Sequence, residues 1–356
     1  MKLNKLAILA LSISLAFTSC SNDDDSTVTV EPILEYVNGI IITEEGNFTN
    51  GTGAISFVSN DLEYVENTVF ENVNEETLGN LVQSMAFDGS LGYIIENGSN
   101  ALKVVNRYTF QAITTISSGL DNPRYMTVVN GKGYITNWGD GNDETDDYVA
   151  VLDLNTNTFV SQIPVAFGPE AIVSLNDNIY VAHQGGFTQN NQLTVINAVS
   201  DEVITTLTVG DVPNSLQIDE SDTLWVLCGG NPNHTANETD GALYKINTST
   251  NTITSSITFD EGLHPSNLYY DTNNLYYGLS GDVYKMSSAE STLPEIAEFS
   301  VSNLYDFSVR GNQLFALDHN VYSSETSYLK VFSLDTNSEI KSIDLGPFAG
   351  EVYFNN

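Results

Sequence analysis

Residues 168–210 have the sequence GPEAIVSLNDNIYVAHQGGFTQNNQLTVINAVSDEVITTLTVG. This stretch contains four short segments in which apolar and β-branched residues alternate with polar ones. Asn, Asp, Gly and Ser separate the segments. Alternation with a period of two, interrupted by turn residues, is typical of antiparallel strands joined by hairpins. The stretch therefore predicts four consecutive β-strands.

The same pattern recurs along the chain at a period of about 46 residues. One apolar position of the third strand marks each copy, at Val58, Val105, Leu152, Ile196, Ile246, Met286 and Phe332. A second-strand position is aromatic in all copies but the first, at Ile41, Tyr93, Tyr134, Tyr180, Trp225, Tyr276 and Phe315. Seven repeats of four strands, with no helical periodicity, predict an all-β fold, a seven-bladed β-propeller with four-stranded blades.

The two ends of the repeat array predict how the ring closes. The first copy begins at its second strand, near residue 40, and lacks an inner strand. The segment GEVYFNN at residues 350–356 has the missing pattern. We therefore expect the C-terminal strand to complete the first blade.

The N-terminal region predicts export and lipid attachment. Lys2 and Lys5 precede an apolar run that suits a signal peptide and is too short for a permanent membrane span. Small residues before Cys20 resemble a lipobox, and the acidic segment that follows resembles the export tag of Bacteroidetes surface lipoproteins. The alternative to the lipobox is an ordinary signal peptide followed by a free cysteine. The alternative to the export tag is a solvated acidic linker. The predicted organisation is a lipoprotein signal peptide (1–19), an acylated Cys20 with an acidic flexible linker (20–35) and the propeller (36–356), anchored in outer-membrane lipid and exposed at the cell surface.

Charge and cysteine content limit the classes of partner. Removal of Lys2 and Lys5 leaves 46 acidic residues against nine basic ones, a net charge near −37. Such a chain is not expected to bind nucleic acid or anionic headgroups directly. Cys228 is the one cysteine besides Cys20, so neither a disulfide framework nor a multi-thiolate metal site is expected. The sequence predicts no cofactor.

Three motifs carry a family resemblance: EEGNF at 44–48, NPRYM at 122–126 and GPEAI at 168–172. With these motifs, residues 36–356 resemble the YncE-like, YVTN-type seven-bladed propellers, specifically a family of Bacteroidetes lipoproteins. Some of those relatives capture cobalamin on the cell surface and sit on a TonB-dependent transporter. The resemblance implies that this chain captures a small-molecule or glycan ligand, with a corrinoid-like cofactor as the leading candidate. It carries over no individual binding residue.

Loop length indicates which face of the propeller holds a site. Connections from strand two to strand three, and from strand four to the next blade, emerge on one face, here called the long-loop face. Turns on the opposite face are predicted to have two to four residues. The long loops contain all four histidines and three aromatic residues: His183, His234, His264, His319, Trp138, Phe187 and Tyr322. Because loops on a rigid scaffold commonly carry function, this face is the predicted binding face.

Residues at the starts of the inner strands are expected to surround the central mouth, namely Gln83, Arg124, Glu170, Asn214, Ser266, Tyr305 and Gly350. Arg124 stands out because cations are scarce. Its guanidinium either orients a carboxylate, phosphate or amide group of a ligand or forms an inter-blade salt bridge to Glu170 or a nearby Asp. The candidate ligand-binding residues are Arg124, Trp138, Glu170, His183, Phe187, Asn214, His234, His264, Tyr305 and His319.

Individual loop residues support weaker hypotheses. Trp138 falls outside the repeat register, which favours an exposed stacking contact. The histidines lie on different blades and lack metal-ligand spacing. A weak calcium candidate consists of oxygen-bearing residues in one loop, Asp140, Asn142, Asp143 and Glu144, although the spacing of a calcium loop is missing and a solvated acidic loop is the alternative.

These observations favour a binding protein over an enzyme. A lactonase-like or lyase-like propeller needs a metal cage or an acid–base pair directed at the axis, and the predicted mouth offers one Glu, one Arg and one Tyr. We therefore expect no catalytic activity. The main alternative is a scaffold for protein interaction or adhesion, for which propellers are also suited.

Overall fold

The structure is a computed structural model that describes residues 35–46, 51–319 and 326–356. The signal peptide, Cys20, most of the linker, Phe48 and Tyr322 lie outside the described residues. Within them, no helix is long and apolar enough to cross a membrane.

Seven antiparallel four-stranded sheets make up the fold. The first fourteen strands are β1 (Gly39–Glu44), β2 (Ala54–Ser59), β3 (Val65–Glu66), β4 (Val82–Asp88), β5 (Leu91–Glu96), β6 (Ala101–Asn106), β7 (Ala112–Ile116), β8 (Pro123–Val129), β9 (Lys132–Asn137), β10 (Tyr148–Asp153), β11 (Thr158–Pro164), β12 (Pro169–Leu175), β13 (Asn178–His183) and β14 (Gln192–Asn197). The other fourteen are β15 (Glu202–Thr208), β16 (Pro213–Ile218), β17 (Thr223–Cys228), β18 (Ala242–Asn247), β19 (Thr252–Thr258), β20 (Ser266–Asp271), β21 (Asn274–Leu279), β22 (Asp282–Ser287), β23 (Phe299–Ser300), β24 (Leu304–Arg310), β25 (Gln313–Asp318), β26 (Ser327–Ser333), β27 (Ser338–Leu345) and β28 (Ala349–Asn355).

The sheets are the blades of a seven-bladed β-propeller, which confirms the predicted fold. Six blades use four consecutive strands, and the first has the order β28-β1-β2-β3. In that blade Gly39 pairs with Asn355 and Ile41 with Tyr353. The C-terminal strand therefore closes the ring as predicted, and each blade keeps only two short edges, its inner strand facing the axis and its outer strand.

The core lies between neighbouring blades. Middle strands such as β5 and β14 have neighbours on both faces and are buried almost throughout, whereas outer strands such as β19 are largely exposed. Tyr134 of the third blade packs with Ile179 and Val181 of the fourth. Its hydroxyl donates to the carbonyl of Ala198 (3.0 Å) and to Asp201 (2.6 Å). The repeated second-strand aromatics thus join one blade to the next.

A β-bulge occurs near the start of every inner strand, where the register shifts in β4, β8, β12, β16, β20, β24 and β28. A bulge adds a residue that does not pair and changes the direction of its side chain. In the sixth blade the shift lies between Ser266 and Leu268. Asn267, and not the predicted Ser266, therefore corresponds to the mouth residues of the other blades.

Three local features differ from the sequence prediction. A short helix, α1 (Val69–Asn74), lies between the first two blades, and a single 3₁₀ turn spans Asn97–Ser99. Neither is long enough to produce a helical period. On the face predicted to have only short turns, residues 288–298 form a long connection between β22 and β23. That connection leaves the outer strand β23 with only two residues.

Candidate functional site

A cavity of about 490 Å³ opens on the long-loop face, off the centre of the ring. It is here called the mouth cavity. Inner-strand starts contribute Gln83, Arg124 and Tyr305, and long loops contribute Trp138 and Phe187. Four of the ten candidate ligand-binding residues therefore converge on one cavity of a size suited to a small organic ligand.

Arg124 anchors the base of the mouth cavity through a buried ion pair. Its Nε donates to Glu170 Oε2 (2.9 Å) and its Nη2 to Glu170 Oε1 (2.8 Å). Glu170 is 6% exposed, on the neighbouring blade. The inter-blade salt bridge was one of the two predicted roles of Arg124. The guanidinium also lies 4.2 Å from the ring centre of Trp138, a cation–π contact.

Trp138 is a buried wall residue, so the prediction of an exposed stacking contact is wrong. The residue is 7% exposed, and its indole N–H donates to the carbonyl of Pro169 (3.0 Å). The exposed aromatic is its neighbour Phe187, which is 69% exposed and meets Trp138 edge to face at 6.0 Å between ring centres. Phe187 is therefore the ring that a ligand can cover.

Tyr305 and Glu45 form the opposite side of the mouth cavity. The Tyr305 hydroxyl donates to Glu45 Oε1 (2.6 Å), although the two residues lie far apart in sequence. Burial raises the pKa of Glu45, and the hydrogen bond from Tyr305 partly offsets that rise. His319 packs behind Tyr305 with ring centres 4.3 Å apart. His319 supports the wall and does not reach the cavity surface.

Asparagine side chains complete the lining, and they are not among the residues predicted from the sequence. Asn97 donates to the Asn122 side chain (2.5 Å) and to the Pro123 carbonyl (3.0 Å). Asn100 and Asn122 both have positive φ, a conformation that asparagine tolerates in turns. An asparagine in a turn is already explained by its backbone conformation. The sequence therefore gives no sign that its side chain also lines a cavity.

The other predicted candidates do not join the mouth cavity. His183 is fully buried at the end of β13 and not in an exposed loop, and burial lowers its pKa to about 4. His234 is exposed, and His264 bonds the carbonyl of Gly229 (2.8 Å). Asn214 faces a second cavity further along the axis.

The calcium candidate residues mainly support their own loop. Asp140 accepts hydrogen bonds from Asn142, and Asp143 accepts hydrogen bonds from Thr145. Across residues 35–46, 51–319 and 326–356, no group of three or more His, Cys, Asp or Glu side chains is placed to hold a metal ion. The histidines are likewise dispersed.

Comparison with known proteins gives a family and a fold. Residues 38–303 match a family described as a domain of unknown function, DUF5074. No curated protein matches the chain.

Among solved structures, a quinoprotein alcohol dehydrogenase-like protein from Bacteroides thetaiotaomicron has 12% identity and a TM-score of 0.64, covering 90% of this chain and 79% of that one. The hydrazine synthase of Kuenenia stuttgartiensis has 16% identity and a TM-score of 0.52, covering 70% and 74%. The computationally designed Ika8 protein has 10% identity and a TM-score of 0.57, covering 89% and 91%. At these identities the likeness shows the fold alone.

Proposed function

Since the chain belongs to the DUF5074 family, whose function is unknown, we propose that it is a cell-surface lipoprotein that binds an extracellular ligand in the mouth cavity. The ligand is a nutrient, with a corrinoid-like cofactor as the leading candidate, and it is delivered to a TonB-dependent outer-membrane transporter. The resemblance to YncE-like lipoproteins supports this proposal. The propeller fold is compatible with ligand binding and with a scaffold role.

The observation that carries the proposal is the convergence of Arg124, Trp138, Phe187 and Tyr305 on one cavity of about 490 Å³. Ligand sites commonly combine apolar and aromatic walls with a few fixed polar groups. Here Phe187 supplies an exposed ring, and asparagine side chains make the adjoining wall polar. A large organic molecule with amide or hydroxyl substituents matches this lining.

The two carboxylates beside the mouth cavity are already paired, which supports binding rather than catalysis. Glu170 is held by Arg124 in two hydrogen bonds, and Glu45 accepts one from Tyr305. A general base needs a carboxylate that can reach a substrate proton. We therefore assign no catalytic role to these side chains.

Substitution of Phe187 by alanine tests the proposal without disturbing the core, because the ring is mostly exposed. Binding of cyanocobalamin, haem, a ferric siderophore and oligosaccharides to the purified protein is measured by calorimetry. Loss of an aromatic anchor costs about 2 kcal/mol, roughly thirtyfold in affinity. We expect Phe187→Ala to weaken the binding of the preferred compound by about that factor.

Val199→Ala is the matched control. Val199 is 70% exposed and lies in the turn between β14 and β15, on the face opposite the mouth cavity. Its substitution should leave affinity unchanged. If a compound binds tightly and Phe187→Ala binds it equally well, the mouth cavity is not its site. If none of the four classes binds, the scaffold alternative is favoured.

A further inference from the structure

A second cavity of about 490 Å³ lies on the axis of the ring, toward the face opposite the long loops. It is here called the axial cavity. Inner strands line it, and its walls include two carboxylates, Asp306 and Glu351. Neither carboxylate lines the mouth cavity.

The negative charges of the two carboxylates in the axial cavity are compensated only by hydrogen bonds. Asp306 accepts hydrogen bonds from the backbone N–H groups of Phe307 and Val352. Glu351 accepts hydrogen bonds from the hydroxyls of Tyr353 and Tyr125. Neither carboxylate forms a salt bridge with a described residue. A buried carboxylate without a counterion is costly, so a positively charged ligand would lower its free energy.

The walls around these carboxylates are aromatic. Tyr125, Tyr269 and Tyr353 line the axial cavity together with Phe87 and Phe354. Aromatic faces attract organic cations, and the attraction is stronger where water is excluded. Among the described residues that line this cavity, none is Lys, Arg or His. Its chemistry therefore suits a cation and disfavours an anion.

Two arginines that pack against phenylalanines of the cavity wall make hydrogen bonds outside the cavity. Arg107 lies 4.3 Å from the ring centre of Phe87, and its Nε donates to Asn355 Oδ1 (2.6 Å). Arg310 lies 4.8 Å from the ring centre of Phe354, and its Nη2 donates to Asn356 Oδ1 (2.5 Å). Both guanidiniums hold the end of the C-terminal strand. Neither guanidinium lines the axial cavity, whereas the two carboxylates and the aromatic rings do.

We propose that the axial cavity is a second ligand site, distinct from the mouth cavity, that binds an organic ammonium ion between Asp306 and Glu351. The two carboxylates supply the charge, and the tyrosine and phenylalanine rings contact the alkyl groups of the ammonium ion. An organic cation is favoured over a metal ion because the described part of the chain contains no group of three or more acidic, His or Cys side chains placed as metal ligands. This inference does not depend on the mouth-cavity ligand.

Choline is the probe for this site, and its neutral carbon analogue, in which a quaternary carbon replaces the nitrogen, is the matched control ligand. Calorimetry on the purified protein should show choline binding at least about tenfold more tightly than the analogue. The double variant Asp306→Asn with Glu351→Gln keeps side-chain size and should abolish this preference. Phe187→Ala should leave choline binding unchanged.

The pH dependence in the unmodified protein provides a second test if the double variant does not fold. Burial raises the pKa of Asp306 and Glu351, and the charge of Glu351 further raises that of Asp306. Glu45, Glu170, Tyr125 and Tyr353 lie close enough to influence Glu351. Arg124 acts on Glu45, and Arg310 acts on Tyr269 of the cavity wall. Choline affinity should fall as pH is lowered from about 8 to about 5, while any binding of the analogue stays constant.

Three results would overturn the proposal: equal affinity for choline and its analogue, no choline binding, or choline binding retained in a folded double variant. Displacement of choline by calcium alone at the same stoichiometry would identify a metal site instead. That result would also contradict an organic cation as the ligand.

Discussion

Arg124 and Glu170 join the third and fourth blades through two parallel hydrogen bonds, Nε to Oε2 at 2.9 Å and Nη2 to Oε1 at 2.8 Å. Both side chains are largely shielded from water. A paired geometry of this kind orients the guanidinium and satisfies the carboxylate. The pair therefore holds the base of the mouth cavity in place. The Arg124 guanidinium also lies over the ring of Trp138.

Removal of Arg124 should destabilise the propeller as well as alter the cavity. Arg124→Ala leaves Glu170 buried without a counterion, which typically costs about 3 kcal/mol or more. Urea unfolding gives the change in free energy. Glu63→Ala is the control, because Glu63 is 77% exposed in its ion pair with Lys341 and should contribute less than about 1 kcal/mol. Equal losses in the two variants would refute this role of the buried pair.

Asn355 should contribute strongly to ring closure. It is fully buried, donates to the carbonyls of Tyr36 (2.6 Å) and Arg107 (2.9 Å), and accepts from Arg107 Nε (2.6 Å). Asn355→Ala should lower the free energy of unfolding by roughly 2–4 kcal/mol, because it leaves buried partners unsatisfied.

The adjacent Asn356 is exposed, and its side chain accepts a hydrogen bond from Arg310. The Tyr108 hydroxyl donates to its backbone carbonyl (3.4 Å), which alanine would keep. Asn356→Ala should therefore change stability by less than about 1 kcal/mol.

Deletion of residues 350–356 should prevent cooperative folding, since the first blade would lose its inner strand. A truncated protein with an unchanged melting temperature would disprove this closure.

Asp147 should make stability depend on pH near neutrality. It is 3% exposed; its Oδ1 accepts from the Gly168 N–H (2.8 Å), while its Oδ2 has no hydrogen-bond partner. Burial raises its pKa to about 7, the Gly168 hydrogen bond opposes the rise, and Asp146 and Asp143 add to it. The folded protein therefore holds this proton more tightly than the unfolded chain.

The stabilising contribution of that proton is complete below the ordinary aspartate pKa and is lost as pH rises toward about 7. Asp147→Asn keeps an acceptor for Gly168 and removes the charge. It should raise the free energy of unfolding more at about pH 8 than at about pH 5, by on the order of 1 kcal/mol after allowance for solvent screening. Asp344→Asn, on an exposed strand position, should give the same small change at both pH values. A pH-independent effect of Asp147→Asn would contradict the assignment.

Cys20 is expected to determine membrane retention. Cys20→Ala should abolish acylation and release the protein into the soluble fraction, and globomycin should cause accumulation of the uncleaved form. Membrane fractionation and incorporation of labelled fatty acid measure the two effects. Cys228→Ala is the control, since this thiol is buried in the propeller and is not expected to be acylated. Normal retention of Cys20→Ala would refute the lipid anchor.

The blade architecture was predictable because burial on both faces of the middle strands imposes a strong pattern. Val58, Val105 and Tyr134 are fully buried at the expected strand positions. Helix α1 was not predictable, since its six residues are fewer than two helical turns. The long connection 288–298 was not predictable, because turn residues indicate where a strand ends but not how many residues precede the next strand.

The site was partly predictable from position: Tyr305 was expected at an inner-strand start and Phe187 in a long loop, and both line the mouth cavity. Arg124 attracted attention in an acidic chain, and the structure places it in the mouth cavity. The pairing of Glu45 with Tyr305 depends on ring closure, which brings sequence-distant segments together. The burial of Trp138 depends on how its loop folds against Pro169, and loop composition does not encode that contact.

The bulges at the starts of the inner strands have a consequence for how this family diverges. Each bulge presents residues that take no part in the regular ladder, so their side chains can be exchanged while the pairing of the blade persists. Blade-joining aromatics such as Tyr134 lack this freedom, because they pack against the next blade and hydrogen-bond to it. We therefore expect homologous chains to keep the blade-joining positions and the Arg124–Glu170 pair and to vary the other five bulge positions, so that one unchanging ring accommodates different ligands.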